Sequence, residues 1–246
     1  MAQGLVGVND GEFVIFDRQQ LYRVLLNELD DPETLLGDEL IRDGTYFSRY
    51  QPVVFMTMDN SVVETIAGEP TLMKTEDPAG WVAGLDIEGY LRYLYVLSPE
   101  NNQIYKYERL SNRYGAPSEY NVDGDVRDAS DMTGDGNVYV LKKGGQVVKL
   151  LRGEMKPFVI RQAPEGILEH ATKIFKSFDG NFYFLDPKNA RVIVVGDSGS
   201  TGEATYLKQI VLEGDQIGEL QDLYVDPDDT RLYVLDEKRL FVIDLQ

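Results

Sequence analysis

Four tetrapeptides set the rhythm of this chain: LYVL (94–97), VYVL (138–141), FYFL (182–185) and LYVL (232–235). Each follows an acidic turn with Gly, Asp or Asn, and each leads through a polar turn into a second β-branched or aromatic run. Runs of this composition suit a pleated, half-buried strand. Asp-Gly-Asn supplies the positive-φ positions of a tight hairpin. Two weaker copies lie upstream, FVIF (13–16) and VVFM (53–56). The anchors Val14, Val54, Tyr95, Tyr139, Tyr183 and Tyr233 are separated by 40, 41, 44, 44 and 50 residues. One small sheet cannot bury both of its faces, but sheets repeated radially can, so this period with three or four strands per copy predicts a β-propeller. The expected fold is all-β, a six-bladed β-propeller of about 40 residues per blade, with residues 1–246 forming a single domain. A β-sandwich of similar hairpins is the alternative, and the regular spacing through the whole chain argues against it.

GLVGVND reads as the first strand of the first blade and LFVIDLQ as the third strand of the last. A fourth strand for that blade is missing, which predicts either a three-stranded last blade or a domain excised from a larger protein. Asp31 and Pro32 ahead of ETLLGDEL have the form of a helix start. Residues 108–125 and 196–212 read as long excursions before an outer strand, and 161–173 as a crossover with room for one helical turn.

The copies DGNVYVLKKGGQVVKL and DGNFYFLDPKNARVIVV resemble the NHL-type propeller repeat. That pattern has an acidic residue with Gly-Asn, a VYVAD-like strand, a polar turn, and Arg or Ile opening the next strand. The resemblance covers 85–245 well and 1–84 loosely, and it implies a fold rather than an activity. ATKIFKSFDGNFYFLDPKNARVIVV…YLKQIVL is also similar to propeller segments at the C-terminal ends of bacterial multidomain proteins. In some of these a PP2C-like domain and a membrane helix precede the propeller. That likeness implies an extracytoplasmic place in a membrane-tethered protein; this chain has no phosphatase motif.

The chain has 42 acidic and 24 basic residues, a formal charge of −18. Such a field repels phosphates and anionic lipid heads, so neither nucleic acid nor a membrane surface is an expected partner. It attracts cations or a basic protein patch, or simply keeps the surface soluble. The absence of cysteine removes disulfides and thiol chemistry, and is compatible with an envelope location. No apolar run approaches 18 residues, so no direct membrane insertion is expected of this chain. The opening residues lack the basic segment and apolar stretch of a signal peptide. A monomer is expected.

DMTGDGNVYVLK places Asp131, Thr133, Asp135 and Gly136 at the first, third, fifth and sixth positions of an EF-hand loop. The twelfth is Lys142 instead of the bidentate Glu that completes the oxygen shell, so a tight turn is expected. No nucleophile motif is present, and His170 is the one histidine, which leaves no common zinc site and no evident triad. The stretches before each acidic turn bring Arg49, Tyr50, Trp81, Arg127, Asp128, His170, Lys173 and Asp222 toward the mouth of a central channel, with Glu88, Asp131 and Glu169 beside them. A mixed-charge rim suits a polar ligand or a peptide; it equally suits salt bridges that pin neighbouring blades. Trp81 could stack on a ligand, though packing between blades is the commoner role of such a residue. Tyr46, Tyr50 and Tyr120 fall outside the strand register and are contact candidates.

These features predict a non-enzymatic recognition or scaffold domain that binds a protein or a small polar ligand on one face. No catalytic residue, metal site or cofactor is assigned. The alternative is a metal-dependent hydrolase of the lactonase or gluconolactonase type, with Ca²⁺ held at the central channel by three or more convergent carboxylates and amides. A structural spacer would show neither feature.

Overall fold

The computed structural model describes residues 1–9, 12–25, 28–29, 33–34, 40–47, 49–66, 69–177, 180–197, 199 and 202–245. Its strands form six sheets in chain order, the six-bladed β-propeller that the repeat predicts. Blade 1 contains Gly4–Asn9, Glu12–Phe16 and Gln20–Leu25, with the short strands Glu28–Leu29 and Glu33–Thr34 both paired to the third. Blade 2 is Ile41–Tyr46, Val53–Thr57, Val62–Ile66 and Glu69–Met73; blade 3 is Asp86–Tyr90, Tyr93–Ser98, Gln103–Glu108 and Ser118–Glu119. Blade 4 is Ala129–Gly134, Val138–Lys142, Val147–Leu151 and Glu154–Lys156. Blade 5 runs Lys173–Lys176, Phe182–Asp186, Arg191–Gly196 and Glu203–Val211. Blade 6 has Leu220–Val225, Arg231–Asp236 and Leu240–Asp244, three strands among the described residues. The chain divides into two compact units, Met1–Tyr120 and Asn121–Gln246, with three blades in each.

All six anchors lie in the second strand of their blade and are buried. Val53–Thr57, Val138–Lys142 and Phe182–Asp186 are buried at every position. The polar alternation of a one-faced sheet is therefore lost, as expected of a strand covered on both faces. Within the first unit, blades 1 and 2 share a core around Val14, Phe16 and Phe55, and blades 2 and 3 one around Val54, Leu94 and Tyr105. In the second unit, Tyr139, Phe182 and Phe184 join blades 4 and 5, while Tyr183, Val194 and Leu232 join blades 5 and 6.

The acidic turn in blade 4 is a hairpin turn. Asp131 and Thr133 lie within a strand, and Asp135 closes the turn by accepting the Asn137 N–H at 3.0 Å. Gly136 takes φ +113, which is why glycine stands there. The crossover over 161–173 contains no helix. Its backbone makes three turn bonds instead, from Ile167 to Pro164, Glu169 to Gly166 and Ala171 to Leu168. Just before it, Val159–Arg161 pairs parallel with Glu203–Val211 as a fifth, edge strand of blade 5. The helix start at Asp31 and Pro32 falls outside the described residues. Among the described residues no helix is long and apolar enough to cross a membrane.

Candidate functional site

One register position recurs through the first strands. The residue paired with the last core residue of the second strand is Asp43 opposite Met56, Asp86 opposite Leu97, Asp131 opposite Leu141, Lys173 opposite Leu185, and Asp222 opposite Leu235. At Asp43, Asp131 and Asp222 a register shift lies just before the aspartate. A bulge of this kind re-aims a side chain out of the ladder. Asp43 accepts the Ile87 N–H at 2.8 Å, and Asp131 accepts the Ile174 N–H at 2.7 Å, so each ties its blade to the next. Asp131 also holds the Lys173 ammonium at 3.0 Å. Burial pushes the Asp131 carboxyl up, against the opposing pull of Lys173 and the Ile174 N–H, with Asp222 adding to the rise. Lys173 and Asp131 thus form a salt bridge that ties blades 4 and 5, with the Asp222 carboxylate near enough to oppose the charge on Asp131. Among the described residues no three carboxylates or histidines converge to hold an ion.

The second unit carries two adjoining cavities. One, of about 550 Å³, is lined by Ser130, Lys143, Glu169, His170, Lys188 and Glu219 among others. Lys143 stands in the hairpin turn after the second strand of blade 4, where its N–H bonds the Asp128 carbonyl at 2.9 Å. Lys188 stands in the corresponding turn of blade 5. That turn is a 3₁₀ turn capped by buried Asp186, whose carboxylate accepts the Asn189 N–H at 3.1 Å and the Arg191 guanidinium at 2.8 Å. The Lys188 ammonium lies 2.9 Å from His170 Nε2.

The other cavity, of about 560 Å³, shares Gly144 and Glu169 with the first and is walled by Val147, Phe158, Val159, Ile160, Ile167 and Leu168. The edge strand places Val159 and Ile160 there, and Val159 is 44% exposed. Gly145 takes φ +87 at the junction, where a Cβ would meet the Leu168 carbonyl at 2.5 Å. An apolar pocket opening onto a few placed charges is the usual make-up of a ligand site.

Of the residues singled out in the sequence, His170 lines the charged cavity, and Asp128 helps hold its Lys143 turn. Arg127 is exposed and paired with Asp125 at 2.8 Å, away from that lining. In the first unit, Tyr50 packs edge-to-face on Phe47, with Arg109 at 4.8 Å and exposed Arg49 at 5.7 Å from its ring centre. Arg109 in turn makes two 2.7 Å bonds to buried Glu64, which also accepts the Tyr114 hydroxyl at 2.7 Å. Trp81 sits in the blade 2–3 connection and packs edge-to-face on Tyr105 at 5.5 Å. Tyr120 packs likewise on Tyr95 at 5.1 Å, and Tyr46 packs against the blade 1–2 core. Lys143, Lys188, Glu219 and the apolar wall were not marked in the sequence. A Lys in the turn just after each of two successive core strands, VYVLKK and FYFLDPK, is the signal that points to the first two.

The fold has solved counterparts. A gluconolactonase of Xanthomonas campestris aligns over 100% of this chain and 86% of its own, with TM-score 0.70 and 13% identity. A structure from a nidogen/laminin complex gives TM-score 0.67 at 15% identity, over 95% and 89% of the two chains. YCF48 bound to a D1 peptide gives TM-score 0.60 at 10% identity, over 99% and 77%. At these identities the likeness is one of fold. No family model and no curated protein matches the sequence.

Proposed function

We propose that this propeller is a non-enzymatic recognition module that binds an extended segment of a partner protein in the double cavity of its second unit. The observation that carries the reading is the junction at Gly144 and Glu169 of an apolar cavity with a charged one. Together they offer a seat for one apolar side chain and polar groups for its neighbours, the pattern by which grooves read peptides. A propeller of similar fold has been solved with a peptide bound. The repeat plan of residues 85–245 supports a place among NHL-type propellers, and the likeness of ATKIFKSFDGNFYFLDPKNARVIVV…YLKQIVL to C-terminal propeller segments supports an extracytoplasmic multidomain parent.

The test is a peptide array probed with the wild type and with Val159→Asp. Because Val159 is 44% exposed, the variant should fold and melt like the wild type. The expected result is a discrete set of peptides bound by the wild type and lost by the variant. No bound peptides, or the same set for both proteins, contradicts the proposal.

A further inference from the structure

Lys143, Lys188, Glu169 and Glu219 line one cavity, and among the described residues none of the four forms an ion pair. Some acids and bases elsewhere in the second unit do pair, among them Lys142 with Asp125 at 3.0 Å, Arg161 with Glu203 at 2.6 Å and Arg191 with Asp186 at 2.8 Å. The topology separates the four. Both lysines sit on hairpin turns that follow second strands, while Glu169 and Glu219 sit on the segments leading into the first strands of blades 5 and 6. Backbone bonds fix these platforms, Lys143 N to Asp128 O at 2.9 Å and Glu169 N to Gly166 O at 3.0 Å. Lys188 is held at 2.9 Å from His170. Two bases and two acids are thus presented to one cavity, unspent on each other.

Resting on the peptide reading above, we infer that this cavity selects segments carrying one acidic and one basic side chain beside the apolar residue in the adjoining cavity. The ligand carboxylate faces Lys143 and Lys188, and the ligand ammonium faces Glu169 and Glu219. A segment with two like charges would meet two attractions and two repulsions, which is how charge patterning rejects wrong partners. These side chains are exposed, so each contact is modest and screened by salt.

The probes are short fluorescent peptides with a central Leu in a Gly-Ser frame, followed by Glu-Lys, Lys-Glu, Glu-Glu, Lys-Lys or Ser-Ser. Binding is read by anisotropy at low and high salt. The expected result is that a mixed pair binds about tenfold tighter than either like pair at low salt, with the margin shrinking at high salt. In the double variant Lys143→Glu with Lys188→Glu, all four charges are acidic and the preference should move to Lys-Lys. That gain of binding also shows that the variant folds. If all five peptides bind alike, and Val159→Asp still abolishes binding, the charge inference is overturned while the groove reading stands. If none binds, both are overturned.

Discussion

The carboxylate of Asp131 accepts the backbone N–H of Ile174 at 2.7 Å, and the pair repeats two blades earlier as Asp43 and Ile87 at 2.8 Å. Both aspartates sit just after a register shift in a first strand, and both reach into the next blade of their own unit. The bonds differ in surroundings. Asp131 is buried and also holds Lys173, whereas Asp43 is half-buried and accepts the Ile87 amide. Removing Asp131 therefore leaves the buried Ile174 amide without its acceptor and takes one carboxylate away from the Lys173 ammonium. Asp131→Ala is expected to cost about 2–3 kcal/mol, and Asp43→Ala about 1 kcal/mol. Urea unfolding at neutral pH checks the order; equal losses would contradict it.

Asp236 accepts three backbone N–H groups, from Lys238 at 2.7 Å, Arg239 at 2.6 Å and Gly218 at 2.9 Å. Burial works to raise its carboxyl, but these bonds prevail and hold it below the ordinary range. A carboxyl lowered in the folded state lends stability above its unfolded value, near 3.9. That stability is lost as pH falls through the lower, folded value. Asp236→Asn should thus destabilise the protein at neutral pH and flatten the acid limb of its stability curve. A wild-type slope below about pH 4 that survives in the variant would contradict the assignment.

Gly145 sits where the charged turn meets the apolar cavity, with φ +87 and the Leu168 carbonyl 2.5 Å from any added Cβ. Gly145→Ala carries both the left-handed penalty and a backbone clash. The expected loss is about 2 kcal/mol, against almost none for Gly144→Ala in contact terms, since nothing lies within 4 Å of a Cβ there. Gly144 has φ +86, so the shared conformational penalty cancels in the comparison and the difference isolates the clash. Thermal melts of the two variants side by side give that difference, and identical melts would remove it.

The fold was legible because the second strands are buried on both faces. Tyr95, Tyr139, Tyr183 and Tyr233 each sit in an unbroken apolar run that repeats at near-constant spacing. The edge strand Val159–Arg161 was not legible: it has three residues, and its partner Glu203–Val211 lies far along the chain, so no local period marks it. At the site, His170 stood out as the lone histidine, whereas Lys143 and Lys188 read as ordinary solvated turn residues. Only the stacking of blades 4 and 5 brings those two turns to one cavity. Trp81 and Tyr50 stood out by residue type alone, and neither type nor position could show that Tyr105, Phe47 and Arg109 already occupy their rings.

Amide hydrogen exchange of the whole chain, with and without the tightest array peptide, tests the central claim most directly. Bound peptide should slow exchange in the turn at 143–147 and along 158–169, the segments that line the two cavities. The first unit should exchange as before. Protection that appears in residues 1–120, with 143–169 unchanged, would contradict the account and move the binding site off the second unit.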